Sequence, residues 1–227
     1  MNNQVDTIDL NRDKTLTSSL NRTMYFFIKR LFDVLMAIIG IIAMIPIALL
    51  VKISYMLTGD FDSIFYKQKR IGKNGEEFDF YKFRSMIPNA DKVLKELLKN
   101  DKKLAKEYKI NKKLEHDPRV TKMGNILRKT SLDELPQVLN IIKNDMSVIG
   151  NRPYLPREKE DMGIYYNDII KTKPGLTGLW QVSGRSNTTF EERLKIEQFY
   201  SNELNIKLDI KIFFKTFKVV FIHIGAK

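Results

Sequence analysis

Residues 34–51 read VLMAIIGIIAMIPIALLV, a run without one charged side chain. As an α-helix rising about 1.5 Å per residue it would extend about 27 Å, close to the hydrocarbon thickness of a bilayer. A helix apolar on every face belongs in lipid or deep inside a large protein, and a chain of 227 residues supplies too little else to wrap it. The run therefore predicts a membrane-inserted segment, here bounded at residues 23–56. Pro46 lies two-thirds of the way along, where it removes a backbone donor and predicts a kink or break. Arg22, Lys29 and Arg30 precede the run, and Lys52, Lys67, Lys69 and Arg70 follow it. Both basic flanks are drawn to the cytoplasmic side, which favours a helix bent at Pro46 that re-enters its own leaflet over a straight span.

Working outward, residues 1–22 are polar and aperiodic and read as a solvated tail without structure. Residues 57–227 then form the main folded portion, with 43% hydrophobic residues in the whole chain giving ample core material. Around a Lys-Asn-Gly turn, residues 63–86 alternate apolar and polar positions and predict a short β-hairpin. Residues 89–114 are lysine-rich with Val93, Leu94, Leu97, Leu98 and Leu104 at helical spacing. Residues 154–173 have helical character, residues 173–187 (KPGLTGLWQVSGRSN) are too rich in glycine for a regular element, and residues 189–200 are helical again. Near the end Ile210, Phe213, Phe214, Phe217, Val220 and Phe221 form one stripe with Lys211, Lys215 and Lys218 opposite, a basic amphipathic helix suited to a headgroup boundary. The expected class is α+β and mostly helical: a small cytoplasmic-face domain with a Pro-broken re-entrant helix and interfacial amphipathic helices.

The formal net charge of +12 calls for a negatively charged partner, whether nucleic acid, anionic lipid or a phosphorylated small molecule. With no cysteine and only His116 and His223, thiolate chemistry and Cys- or His-based metal centres are excluded, so any metal is a hard cation held by oxygen.

The sharpest local feature is TSLDELPQ, residues 130–137, where Asp133 and Glu134 are adjacent ahead of the apolar stripe Leu135, Val138, Leu139 and Ile142. Ser131 and Glu134 have capping-box spacing. Capping by Asp133 instead places Pro136 in the first helical turn, where its missing donor costs nothing. In either register a cap needs one acid, which leaves the other carboxylate free for a cation or a reaction. Lys82, Arg84, Arg119, Arg128, Lys129, Arg152 and Arg185 are the candidate phosphate ligands, several in segments rich in Gly, Pro and Asn. Carboxylates with basic side chains and no His or Cys point to Mg²⁺-assisted phosphoryl chemistry, in which a carboxylate can itself attack phosphorus. The competing reading is a membrane-tethered nucleic-acid- or lipid-binding protein whose charge works through phosphate contacts alone. Against it stand the adjacent acids and the glycine-rich GLTGLWQVSGR.

The series RLFDVLMAIIG, KFRSM, DPRVTKMGNILRKTSLDELPQVLNIIKNDMSVIGNRP, KPGLTGLWQVSGR and LDIKIFFKT, spread over residues 25–218, resembles the bacterial sugar transferases, the monotopic polyprenyl-phosphate phosphoglycosyl transferases. The resemblance implies transfer of a sugar 1-phosphate from a UDP-sugar to undecaprenyl phosphate with release of UMP, the first membrane step of capsule, O-antigen or exopolysaccharide synthesis. It implies Asp133 as nucleophile, Glu134 and Asp133 as the Mg²⁺ site, and Lys82, Arg128, Arg152 and Asp209 as active-site residues, with Arg152 near the nucleotide-sugar. It also implies a re-entrant helix broken at Pro46 in the bacterial inner membrane, the catalytic domain on the cytoplasmic face, and membrane lipids rather than nucleic acid as surroundings. Self-association into a homo-oligomer is compatible with this reading. Two positions depart from the family's usual pattern: Ile45-Pro46 stands for Ser-Pro, and Asn151-Arg152-Pro153 for Pro-Arg-Pro. The NRPYLPREKEDM stretch is most similar to members acting on UDP-galactose or UDP-glucose.

Overall fold

A computed structural model describes residues 5–111, 114–183 and 188–222. Helix α1 spans Val5–Met56 as one element with Pro46 inside it. Pro46 does not end the helix, because losing one N–H leaves the turns on either side hydrogen-bonded. Residues 5–22, expected to lack structure, continue the same helix; adding a residue to an existing helix costs far less than starting one. Between Arg22 and Met56 its most apolar stretch reaches a mean hydropathy of 3.0 with 17% of that window buried, so Leu31, Ile42, Ile45, Leu49 and Leu50 face outward.

The expected hairpin forms from β1 (Phe65–Ile71) and β2 (Glu77–Phe83). Its turn, a short 3₁₀ segment at Lys73–Gly75, is made possible by the left-handed Asn74 and Gly75 at φ 58° and 83°. The lysine-rich segment is two helices rather than one, α2 (Ala90–Asn100) and α3 (Lys102–Asn111). Asp101 separates them in an extended conformation, and its carboxylate accepts the N–H groups of Lys103 and Leu104. Then follow α4 (Lys122–Thr130), a 3₁₀ helix at Leu132–Gln137, α5 (Val138–Ile142) and β3 (Ser147–Ile149). Residues 154–173 hold only short turns, two of them 3₁₀, and α6 (Tyr166–Ile169). The remainder is β4 (Gly175–Thr177), α7 (Leu179–Ser183), α8 (Phe190–Glu203) and α9 (Ile206–Ile222).

The glycine-rich segment thus contains a strand and a helix. β4 pairs in parallel with β3, Ser147 opposite Gly175 and Ile149 opposite Thr177. A Cβ on Gly175 would overlap the Gly150 main chain, and one on Gly178 would overlap the Gly150 carbonyl. The glycines let two backbones meet instead of dissolving the strand.

Contacts group the chain into two interleaved units, Met1–Ile39 with Arg70–Phe78 and Ile141–Lys227, and Gly40–Lys69 with Asp79–Asn140. In the first, α9 packs on β3 and β4 while α8 packs on α6 and α7. Its apolar centre is Ile71, Tyr154, Met162, Ile169 and Leu194. The start of α1 is tied into this unit by polar side chains inside an apolar run. Asp33, 3% exposed, accepts the Ser147 hydroxyl at 2.9 Å and the Val148 N–H at 2.8 Å. Arg30 donates to the carbonyls of Ile141 and Ile142 at the end of α5, where a cation also suits the helix dipole. In the second unit the Tyr55 hydroxyl donates to the Arg84 carbonyl, and buried Asn140 bonds both the Tyr81 N–H and the Asp79 carbonyl of β2. Thr121 caps α4 by accepting the Gly124 N–H, and Gly124 lies where any Cβ would strike the Ser85 main chain.

The apolar stripe of α9 divides. Ile212 is buried and Phe213 meets Phe32 of α1 edge-on at 5.2 Å, whereas Ile210, Phe214 and Phe217 are exposed.

Replacing Gly175 by Ala is expected to cost about 2 kcal/mol of stability, because the added methyl has only backbone to displace. Asp33→Ala should cost about the same by leaving Ser147 and Val148 with unsatisfied buried donors. Denaturant titration of the detergent-solubilised chain checks both, and wild-type midpoints for either variant would contradict the contact behind it.

Candidate active site

Helix α4 ends because Ser131 turns left-handed, at φ 58°, and its N–H closes on the Arg128 carbonyl. The chain then enters the 3₁₀ helix at Leu132–Gln137, with Asp133 and Glu134 in its first turn. Neither capping register open to the sequence is used. The Ser131 side chain caps nothing, and the acids stand in a 3₁₀ rather than an α-helical turn. Pro136 accounts for the tight turn: it has no N–H for an α-helical bond, and the N–H of Val138, where α5 begins, still reaches back only to the carbonyls of Leu135 and Pro136.

Lys82, at the end of β2, bridges the two acids. Its ammonium lies 3.3 Å from Asp133 Oδ2 and 2.7 Å from Glu134 Oε1. The Asp133 side chain is 13% exposed and that of Glu134 43%, so the first is enclosed and the second opens to solvent. Burial pushes the Asp133 carboxyl above the usual carboxylate range; Lys82 and Arg128 draw it back and Glu134 adds to the rise. The result is a carboxylate with little hydration whose ionised form depends on neighbouring cations, a suitable state for a nucleophile. Arg128 is exposed, and its Nε donates to the Ser85 hydroxyl at 2.9 Å.

The remaining cations named from sequence are used differently. Arg84 forks onto Asp60 at 2.8 and 2.9 Å, donates to the carbonyls of Ser63 and Met86, and lies 4.6 Å from the Tyr55 ring centroid. This holds the Asp60 carboxyl below its ordinary range. Arg84 therefore braces the exit of α1 instead of presenting a guanidinium to ligand. Arg119, 5% exposed, is paired with Asp117 at 2.6 Å and likewise braces a loop. Lys129 is exposed.

In the other unit, Asp209 accepts from Lys29 at 2.6 Å, Tyr200 at 2.8 Å and Tyr25 at 2.9 Å. Both its oxygens are thereby committed to joining α1, α8 and α9. Arg152 leaves the loop after β3, its main-chain N–H bonded to Glu197 and its guanidinium 5.7 Å from the Trp180 ring centroid. Arg185 lies outside the described residues. Sequence reasoning missed Ser85, Asp60 and Glu197, because their importance comes from partners 24 to 45 positions away in the chain.

For a metal, no cluster of three or more His, Cys, Asp or Glu side chains exists among the described residues. Two adjacent carboxylates, one partly open, do match Mg²⁺, which commonly takes one or two protein carboxylates and completes its shell with water and substrate phosphate.

Comparison with known proteins agrees over most of the length. The chain is 43% identical over 198 residues to the exopolysaccharide production protein ExoY of Sinorhizobium fredii, covering 87% of each chain. It is also 43% identical over 203 residues to the undecaprenyl-phosphate galactose phosphotransferase of Salmonella typhimurium, covering 88% of this chain and 42% of that one. With the UDP-glucose:undecaprenyl-phosphate glucose-1-phosphate transferase of Escherichia coli identity is 32% over 225 residues, or 93% of this chain and 43% of the relative. The chain thus spans less than half the length of the last two. The family profile described as bacterial sugar transferase matches residues 24–223, which takes in the apolar helix, the acid pair and α9, and the chain belongs to that family.

Proposed function

We propose that the protein transfers a sugar 1-phosphate from a UDP-sugar to undecaprenyl phosphate by two displacements at Asp133. In the first, an Asp133 carboxylate oxygen attacks the phosphorus that bears the sugar. The bond from that phosphorus to the bridging oxygen breaks, its electron pair leaves with UMP, and an aspartyl phosphosugar remains. In the second, a phosphate oxygen of undecaprenyl phosphate attacks the same phosphorus and the Asp133 carboxylate is released. Both steps balance without an oxidant, a reductant or another co-reactant.

The observation that carries this reading is the enclosed Asp133 carboxylate with a lysine across it and an exposed arginine, Arg128, whose charge also favours its ionised form. Lys82 keeps the nucleophile ionised against the effect of burial, and Arg128, free to turn from Ser85, meets donor phosphate. Arg152 contacts the nucleotide-sugar. Asp133 and Glu134 are the residues that would hold Mg²⁺, which when bound supplies neutralisation of the diphosphate charge. The acceptor is a lipid, and the outward-facing leucines and isoleucines of α1 with Ile210, Phe214 and Phe217 of α9 supply surfaces suited to the bilayer where that lipid resides. With its basic flanks, α1 enters and leaves by the cytoplasmic leaflet of the inner membrane, bending at Pro46. Galactose or glucose is the sugar, as the names of the Salmonella and Escherichia relatives give it for those proteins. The product enters capsule, O-antigen or exopolysaccharide assembly.

Asp133→Asn should lower UMP release from UDP-galactose or UDP-glucose by about a thousandfold or more and abolish protein-bound label from sugar-labelled donor in the absence of acceptor. Retained UMP release would remove Asp133 from the mechanism. For Lys82→Met, loss of the cation should raise the Asp133 pKa further, so the acid limb of the rate profile moves to higher pH. A rate profile with an unmoved acid limb would show that Lys82 does not control the protonation of Asp133.

A further inference from the structure

Helix α8 buries one face, on which Leu194, Glu197, Tyr200 and Ser201 lie. Two of these grip consecutive residues of the loop after β3. Ser201 Oγ accepts Asn151 Nδ2 at 2.6 Å, and Glu197 Oε1 accepts the Arg152 main-chain N–H at 3.1 Å. Asn151 Nδ2 also donates to the Ile169 carbonyl and the Thr172 hydroxyl at 3.3 Å. The loop is therefore clamped from α8 at two adjacent positions, by side chains about one helical turn apart.

Glu197 is an unusual choice for a clamp. It is 1% exposed, and a buried carboxylate carries a large desolvation cost that a neutral acceptor would avoid. Among the described residues its second oxygen and the Nε atoms of both neighbouring guanidiniums have no hydrogen-bond partner. Those guanidiniums instead lie against rings, Arg152 5.7 Å and Arg193 4.8 Å from the Trp180 centroid, with Arg193 also 4.8 Å from Phe190 and 5.9 Å from Tyr154. Glu197 Oε2, Tyr154 Oη, Arg152 Nε and Arg193 Nε are all buried without a hydrogen-bond partner. A carboxylate spent on one main-chain N–H beside two uncommitted guanidiniums supplies countercharge without locking either.

We propose that Glu197 is a positioning residue for the transfer reaction, holding the Arg152 main chain so that the Arg152 guanidinium is directed to the charged diphosphate of the donor. This rests on the donor contact assigned to Arg152 above. Burial pushes the Glu197 carboxyl up to about 7, against the opposing pull of the Arg152 N–H and the Arg152 and Arg193 guanidiniums. The positioning therefore weakens as pH falls below neutral and Glu197 gains a proton.

The test is UDP binding to the full chain in detergent, measured by titration calorimetry, with Glu197→Gln, Arg152→Ala and the double variant. Glu197→Gln should weaken UDP binding about tenfold at pH 8 and remove most of the wild-type weakening between pH 8 and pH 6. Adding Glu197→Gln to Arg152→Ala should cost nothing more, because Glu197 acts through Arg152. Where Glu197→Gln fails to fold, Glu197→Asp keeps the charge with a shorter reach and should weaken binding less. Unchanged affinity in a folded Glu197 variant, additive losses in the double variant, or unchanged affinity in Arg152→Ala would each overturn the proposal. Since binding of UDP requires no phosphosugar intermediate, retained turnover in Asp133→Asn would refute the displacement at Asp133 and leave this result standing.

Discussion

A carboxylate withdrawn from water must be compensated, and the way each buried acid in this chain is compensated marks what it does. Asp209 receives an ammonium and two phenolic hydroxyls, so both its oxygens are filled and it serves as a tether. Asp33 receives a hydroxyl and a main-chain N–H on a single oxygen and anchors an apolar helix to β3. Asp133 receives only Lys82, which it shares with Glu134. Of these three it is the one whose only partner is a lysine that a second carboxylate also holds.

The same contrast separates the arginines. Guanidiniums that fork onto a carboxylate, as in Arg84 on Asp60 and Arg119 on Asp117, have their geometry and charge already spent. Arg128 is held by a neutral serine hydroxyl and Arg152 by ring contact, both of which an anionic phosphate can outcompete. Cations that look equivalent as letters are thereby sorted into those already paired with a carboxylate and those that are not.

Helix α1 combines polar tethers with a long apolar surface. Its residues Tyr25, Lys29, Arg30 and Asp33 are each bonded to other parts of the protein, while its apolar residues from Leu31 to Ile53 remain largely uncovered. A water-exposed surface of that kind would be costly, and placing it in lipid removes the cost.

Much was legible from residues alone. The apolar run, the hairpin around Asn74-Gly75, α8 and the acid pair all follow from local rules of periodicity, turn chemistry and charge. These rules act within a few residues, so one sequence suffices to apply them. The linear string could not say that Gly150, Gly175 and Gly178 serve a close backbone approach, that Arg84 is occupied by Asp60, or that Glu197 holds Arg152. Each depends on a partner brought close by folding. Whether a charged side chain is a ligand or a brace is settled by the distance to its counterion and the water left around it, and those two quantities exist only once the chain has folded.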